Sequence, residues 1–261
     1  MNAEVIDLDL LDLAIGYSLI LLTAALARLQ GIGQEREMIW ASLRMVFQLL
    51  AIGYVLHLVF AFSSAWPVML VLLAMGAFSV QVLGGRIKRK IPDFYAVVGS
   101  AIFIGCGGVT FFFCLLIVGL EPWYDPRYMI PLSGMIIGNS MNGAALAAER
   151  LSAEMNERRD EIEAALCLGA TARMASREAV RSAFRAALIP TTNTMAAMGL
   201  VFLPGMMTGQ ILSGTAPVLA VKYQIAIMFA ITGSVAVTAF LILIQGYRRY
   251  FTPAHQLRDL R

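Results

Sequence analysis

The chain has 261 residues, 59% of them hydrophobic and only 14% charged, with a formal net charge of +3. Soluble domains carry about a quarter charged residues, so a water-soluble fold could not hide this much apolar surface. A membrane chain of this length is expected to form one bundle of spans of roughly 20 residues each.

Glu4, Asp7 and Asp9 precede the first apolar run with no Lys or Arg among them, the reverse of a cleavable signal peptide. Runs long enough to span then follow at 10–29, 45–62, 67–85, 94–120, 128–148, 188–214 and 224–245. They are apolar all round, whereas barrel strands alternate apolar and polar residues, so they predict helices. Cys106 and Cys114 share the fourth run about 12 Å apart along a helix, and Cys167 sits in a charged stretch; they form no disulfide framework.

Lys and Arg prefer cytosolic connections. With the N-terminus outside, eighteen of them fall on the cytosolic side, from Arg28 and Arg36 through Lys88, Arg89 and Lys90 to Arg261, and only Arg127 and Lys222 fall outside. The same orientation puts Glu4, Asp7, Asp9, Glu121 and Asp125 outside. The expected fold is all-α: a polytopic transmembrane bundle of about seven helices, N-terminus outside, C-terminus cytosolic, in the inner (plasma) membrane. Residues 1–148 carry spans one to five, 149–187 a cytosolic coupling segment, 188–247 spans six and seven, and 248–261 a cytosolic tail.

The longest polar interruption, 149–185, holds seven acids and seven bases. Leu151, Met155, Ile162 and Leu166 recur at helical spacing among its charges, which predicts a helix projecting from the fifth span. Gly169 ends that helix, Thr171 is the N-cap of the next, and a second amphipathic helix runs from Ala172 towards Pro190. Along it Arg173, Arg177, Arg181 and Arg185 recur every four residues, a cationic arc drifting about 40° per step. Such a stripe either touches anionic lipid headgroups or docks a cytosolic partner.

The elbow reads Glu163, Ala164, Ala165, Leu166, Cys167, Leu168, Gly169. Glu-Ala-Ala followed four positions later by Gly resembles the cytoplasmic EAA loop of ABC-transporter permeases, although the Ile and Pro of that loop are here Ile189 and Pro190, further from the glycine. Three blocks add to it: IPLSGMIIGNSMN at 130–142, CLGAT and FRAALIPT between Cys167 and Thr191, and LPGMMTGQILSG at 203–214. With VKYQI at 221–225 they are similar to the FetB/YbbM-like permeases, which include bacterial iron exporters and plant aluminium-tolerance permeases. The resemblance implies a permease that exports iron or a related metal ion and works as a homodimer with a separate ABC ATPase, which binds the ATP and Mg. It makes Glu163, Ala164, Ala165, Gly169 and Ala170, with Arg173 and Arg177, the candidate coupling surface. Independently, none of the three lysines follows a phosphate-cradling GxxxxGK loop, so ATP chemistry needs another polypeptide. Neither an enzyme activity nor nucleic acid binding is expected.

Span interiors lack the Asp, Glu, Lys or paired His of a proton-coupled carrier. His57 lies near the outer end of the second span, and Asp12 one turn inside the first, within reach of headgroups. Uncharged polar groups cluster instead. Met135, Asn139, Asn142 and Leu146 share one face of the fifth span beside Gly134 and Gly138, which reads either as helix packing or as a pathway lining. The sixth span begins near Pro190, Thr191, Thr192, Asn193 and Thr194 and meets Pro204 and Gly205, where it kinks or breaks. Met135, Asn139, Asn142, Asn193, Pro204, Met206 and Met207 are therefore pathway candidates. Thioethers suit Cu(I) better than Fe(II), and no His or Cys cluster has metal-ligand spacing, so no metal ligands are assigned. A seven-helix receptor or scaffold is the alternative class; a retinal photoreceptor would need a Lys deep in its last span, whereas Lys222 is at an end.

Overall fold

The computed structural model describes residues 9–31, 33, 35–61, 64–87, 90–254 and 256–258. Glu4, Asp7, Lys88, Arg89 and Arg261, used above for orientation, lie outside the described residues. Every regular element described is helical, and the only β pairing among the described residues is two isolated bridges, Met198 with Phe202 and Phe251 with Leu257. The chain divides into two compact units, one within 1–63 plus 212–214, the other within 64–211 and 215–261.

The first unit is built on α1 (Leu10–Leu29) and α2 (Glu35–Ala61). Small residues Ala24 and Ala27 are buried, and the Tyr17 hydroxyl lies 3.2 Å from Ser42 Oγ, linking the two helices. The Asp12 carboxylate accepts the Asp9 backbone N–H at 3.0 Å, satisfying one of the donors that a helix start leaves open. Helix α2 starts ten residues before the apolar run at 45, because Glu35, Arg36 and Glu37 add helical turns without adding hydropathy.

In the second unit α3 (Ala65–Arg86) is followed by α4 (Phe94–Phe112), which continues as a π-helical turn over Phe113–Val118. After α5 (Pro126–Glu157) come α6 (Arg159–Cys167), α7 (Ala172–Ala175), α8 (Arg177–Ala197), α9 (Gly205–Leu212) and α10 (Pro217–Arg249). Helix α10 packs against α4, α5 and α8, which makes it the core of this unit. Small residues set the crossings. A side chain at Gly143 would meet Val235 Cγ1 at 2.7 Å, and one at Gly105 would lie 3.1 Å from the backbone Cα of Thr238. Buried hydroxyls bind across the same seam, Ser140 to Ser234 at 2.8 Å.

Of the Gly134 and Gly138 pair read as helix packing or pathway lining, a side chain at Gly134 would meet the end of Met75 on α3 at 3.2 Å, whereas one at Gly138 would meet nothing within 4 Å in this chain. Burial explains the difference. Gly143 lies on the buried face of α5 with Ile136, Ser140, Ala144 and Ala147, half a turn away from the face the motif marks.

Among the described residues five helices are long and apolar enough to cross a membrane: 10–29, 35–60, 65–86, 94–118 and 217–249. Of the seven runs read from the sequence, the fifth and sixth are absent from this set. Helix α5 has the length at 32 residues, but Asn139, Asn142 and its small residues dilute its hydropathy. The sixth is broken rather than kinked: α8 stops at Ala197, Gly199 takes φ +84°, and α9 restarts at Gly205.

Candidate functional site

Helices α5 and α8 converge at their charged ends, where one carboxylate organises the joint. Glu154, 3% exposed, is buried between them. Its Oε1 accepts Ser182 Oγ of α8 at 2.7 Å and lies 2.6 Å from an Arg150 nitrogen; its Oε2 accepts Arg158 Nε at 2.6 Å. Arg150 Nε also donates to Ser182 Oγ at 3.1 Å, closing the ring. Burial pushes the Glu154 carboxyl up. Hydrogen bonds from Ser182 and Arg158 and the charges of Arg150 and Arg158 outweigh it and hold the group below its ordinary 4.5. A buried charge tolerated in this way is a fixed joint between α5, α8 and the start of the elbow. The sequence did not single out Glu154, because its partner Ser182 is 28 residues away.

Beyond that joint α5 ends at Glu157, and α6 starts after a break at Arg158, so the projecting helix is two pieces rather than one. Leu151, Met155 and Ile162 are buried, as their spacing requires. Gly169 ends α6 at φ +89°: its N–H donates to Leu166 O and the Ala170 N–H donates to Ala165 O, both at 3.0 Å. Together these bonds make a Schellman cap, which needs the left-handed conformation that glycine adopts freely. The Thr171 hydroxyl then accepts the Met174 N–H at 3.3 Å, as expected of an N-cap. The helix expected from Ala172 towards Pro190 is also divided, into α7 and α8 at Ser176, and α8 runs through Pro190 to Ala197.

The tip is exposed. Leu168 is 89% exposed, Ala164 and Gly169 are open, and Ala165 and Ala170 are half-buried. Glu163 is held by Arg159 Nε at 2.9 Å along its own helix. Arg173 and Arg177 are exposed on α7 and α8. The C-terminal segment, expected as a cytosolic tail, lies beside this tip: Ala254, Gln256 and Leu257 line a groove of about 420 Å³ with Glu163, Leu166, Cys167 and Ala170. The segment is folded, with Phe251 and Tyr250 buried and Arg258 N–H bonded to Tyr250 O at 2.8 Å.

The pathway candidates do not form one cluster. Asn139 and Asn142 are exposed on one face of α5, with Met135 half-buried beside them, and the Asn139 amide donates to Met135 O at 2.8 Å. Asn193 belongs to an open groove of about 450 Å³ with Arg185, Ile189 and Thr192 of α8. Pro204, Met206 and Met207 are half-buried around the break. Met195 Sδ lies 3.5 Å from Thr232 Oγ1 and Met198 Sδ 3.9 Å from Gln224 Nε2, so those thioethers pack against α10. Gln224 is an addition: 6% exposed, it has an amide oxygen with no hydrogen-bond partner, while its amide nitrogen lies 3.9 Å from Met198 Sδ beside the break. Among the described residues no three or more His, Cys, Asp or Glu side chains group as metal ligands.

A family model described as "Uncharacterised protein family (UPF0014)" matches residues 10–251. The chain belongs to the UPF0014 family. It is 40% identical, over 98% of its length and 99% of the relative's, to a UPF0014 membrane protein of Synechocystis sp.. It is 32% identical to a protein of Escherichia coli named "Probable iron export permease protein FetB", covering 94% of this chain and 93% of that one. It is 33% identical to "Protein ALUMINUM SENSITIVE 3" of Arabidopsis thaliana, covering 92% and 86%. No solved structure matches the chain. This UPF0014 chain is a multi-pass membrane protein, and the FetB-like resemblance drawn from its motifs holds along nearly its whole length.

Proposed function

We propose that this UPF0014 chain is the permease subunit of an ABC transporter in the inner (plasma) membrane, exporting iron or a related metal ion as a homodimer. Two copies supply fourteen spans and two elbows, and each elbow takes one ATPase subunit that binds ATP and Mg. The observation that carries this reading is the capped turn at Gly169. It presents small residues and Leu168 outward, while Glu154 clamps the base of the elbow to α5 and α8. Force applied at the tip by closing ATPases would reach α5 and α8, the helices bearing Asn139, Asn142 and Asn193, as a hinge-type switch. The name of the Escherichia coli relative supports iron and export. The seven-span arrangement with the N-terminus outside and the elbow in the cytosol belongs to this proposal and rests on the distribution of Lys and Arg.

Co-purification with a tagged, co-expressed ATPase tests the docking. Ala164→Arg, at an open position, is expected to abolish co-purification while leaving thermal unfolding unchanged; retention of the ATPase would overturn the docking surface. Radiolabelled iron should accumulate in inverted vesicles only with ATP and the partner, and metal-stimulated ATP hydrolysis separates a transporter from a receptor or scaffold.

A further inference from the structure

The arginine arc does not end at the coupling surface. Arg173, Arg177 and Arg181 rim a groove between α7–α8 and the last turns of α10, where Arg248 joins them from the opposite wall. The groove holds about 750 Å³. Arg185, rotated further by the drift of the arc, faces the other groove on α8. Below the rim the lining turns apolar, with Val180 and Phe184 from α8 and Phe240, Leu243, Ile244 and Tyr247 from α10. Phe240 is 53% exposed, so the groove is open at its apolar lower end. From Phe240 to Arg248 the floor runs about 12 Å along the helix.

No acid lines this groove. Glu178 approaches Arg181 at 3.9 Å, with both side chains largely exposed. Among the described residues Arg173, Arg177 and Arg248 have no carboxylate within 4.0 Å. Four cations at one end and rings and aliphatic chains below match an amphipathic anion. An acidic protein surface would neutralise the rim but leave the floor without a partner, and a free phosphate would do the same.

We propose that this groove is a binding site for an anionic phospholipid of the cytosolic leaflet, its phosphate among Arg173, Arg177, Arg181 and Arg248 and an acyl chain against Phe184, Phe240 and Ile244. The site does not depend on the ATPase. It assigns the arginine arc to the membrane and leaves the tip around Leu168 for the protein partner, so a lipid bound there would hold α8 against α10.

Native mass spectrometry of the full chain in detergent, with equimolar phosphatidylglycerol and phosphatidylcholine, tests the site. The expected result is preferential retention of one phosphatidylglycerol. Arg177→Gln with Arg248→Gln should weaken retention roughly 25-fold, at about 5-fold per arginine. Arg127→Gln, at the far end of α5, should leave it unchanged. Phe240→Ala should weaken the lipid but not the binding of inorganic phosphate. Equal retention of both lipids, or undiminished retention in the arginine double variant, would overturn the site, as would an unchanged lipid retention in Phe240→Ala. If the double variant keeps its lipid yet loses the ATPase, the arginines serve the protein partner and the lipid assignment is wrong. The arginines are exposed, and thermal unfolding in phosphatidylcholine checks that the variants fold.

Discussion

Glu154 holds its charge in a buried position because three partners surround it, and that has a pH consequence. Its folded-state carboxyl lies below the ordinary 4.5, so its contribution to stability is present above the unfolded value and is lost as pH falls through the folded one. Glu154→Gln should therefore cost about 2 kcal/mol at neutral pH, the scale of charge-assisted hydrogen bonds to partly exposed arginines. The variant should also lose less of its remaining stability than the wild type as the medium is taken below pH 4.5, read by thermal unfolding in detergent. Parallel loss in both proteins would mean that another carboxylate controls acid unfolding. At the tip, Gly169→Ala places a Cβ in the left-handed region and should cost about 1–2 kcal/mol, although nothing stands within 4 Å of it.

Between helices, the crossings of α10 divide the glycines into two kinds. Gly105→Ala forces a methyl towards the Thr238 backbone, and Gly143→Ala drives one into Val235; each should destabilise by about 1–3 kcal/mol. Gly138→Ala, with open space around it, should change the unfolding temperature little. A large loss at Gly138 with none at Gly105 would put the crossings elsewhere. The two helices too polar or too interrupted to pass as ordinary spans, α5 and the broken α8–α9 pair, carry the exposed asparagines Asn139, Asn142 and Asn193. Amides facing lipid at membrane depth are costly, which supports the proposed pathway or homodimer at these positions. Asn142→Leu should leave folding intact and lower metal-stimulated ATP hydrolysis of the reconstituted complex at least roughly 10-fold, the scale of one lost polar contact in a desolvated site.

For the whole molecule, orientation is the assumption under both the docking and the lipid proposals, and the chain carries its own probe. Cys167 is exposed on the elbow while Cys106 and Cys114 are buried. A membrane-impermeant maleimide should label the unaltered protein in inverted vesicles and not in intact spheroplasts. Labelling from the outside would place the elbow on the wrong face for an ATP-driven partner.

Hydropathy alone identified membrane helices and the polar elbow, because burial in lipid and capping by Gly169 and Thr171 are properties of short stretches of chain. Charge placement likewise proposed an orientation without any contact being known. What only the tertiary structure decided are relations between distant segments. These are the clamp from Glu154 to Ser182, the approach of Gly143 and Gly105 to α10, the partnerless oxygen of Gln224, the tail folded beside the elbow, and the arginine-rimmed groove closed by Arg248. A glycine pattern or an arginine stripe has the same local chemistry whichever way it faces. Its role follows from what packs opposite, and in this chain the opposite wall comes from a helix that begins twenty residues after α8 ends.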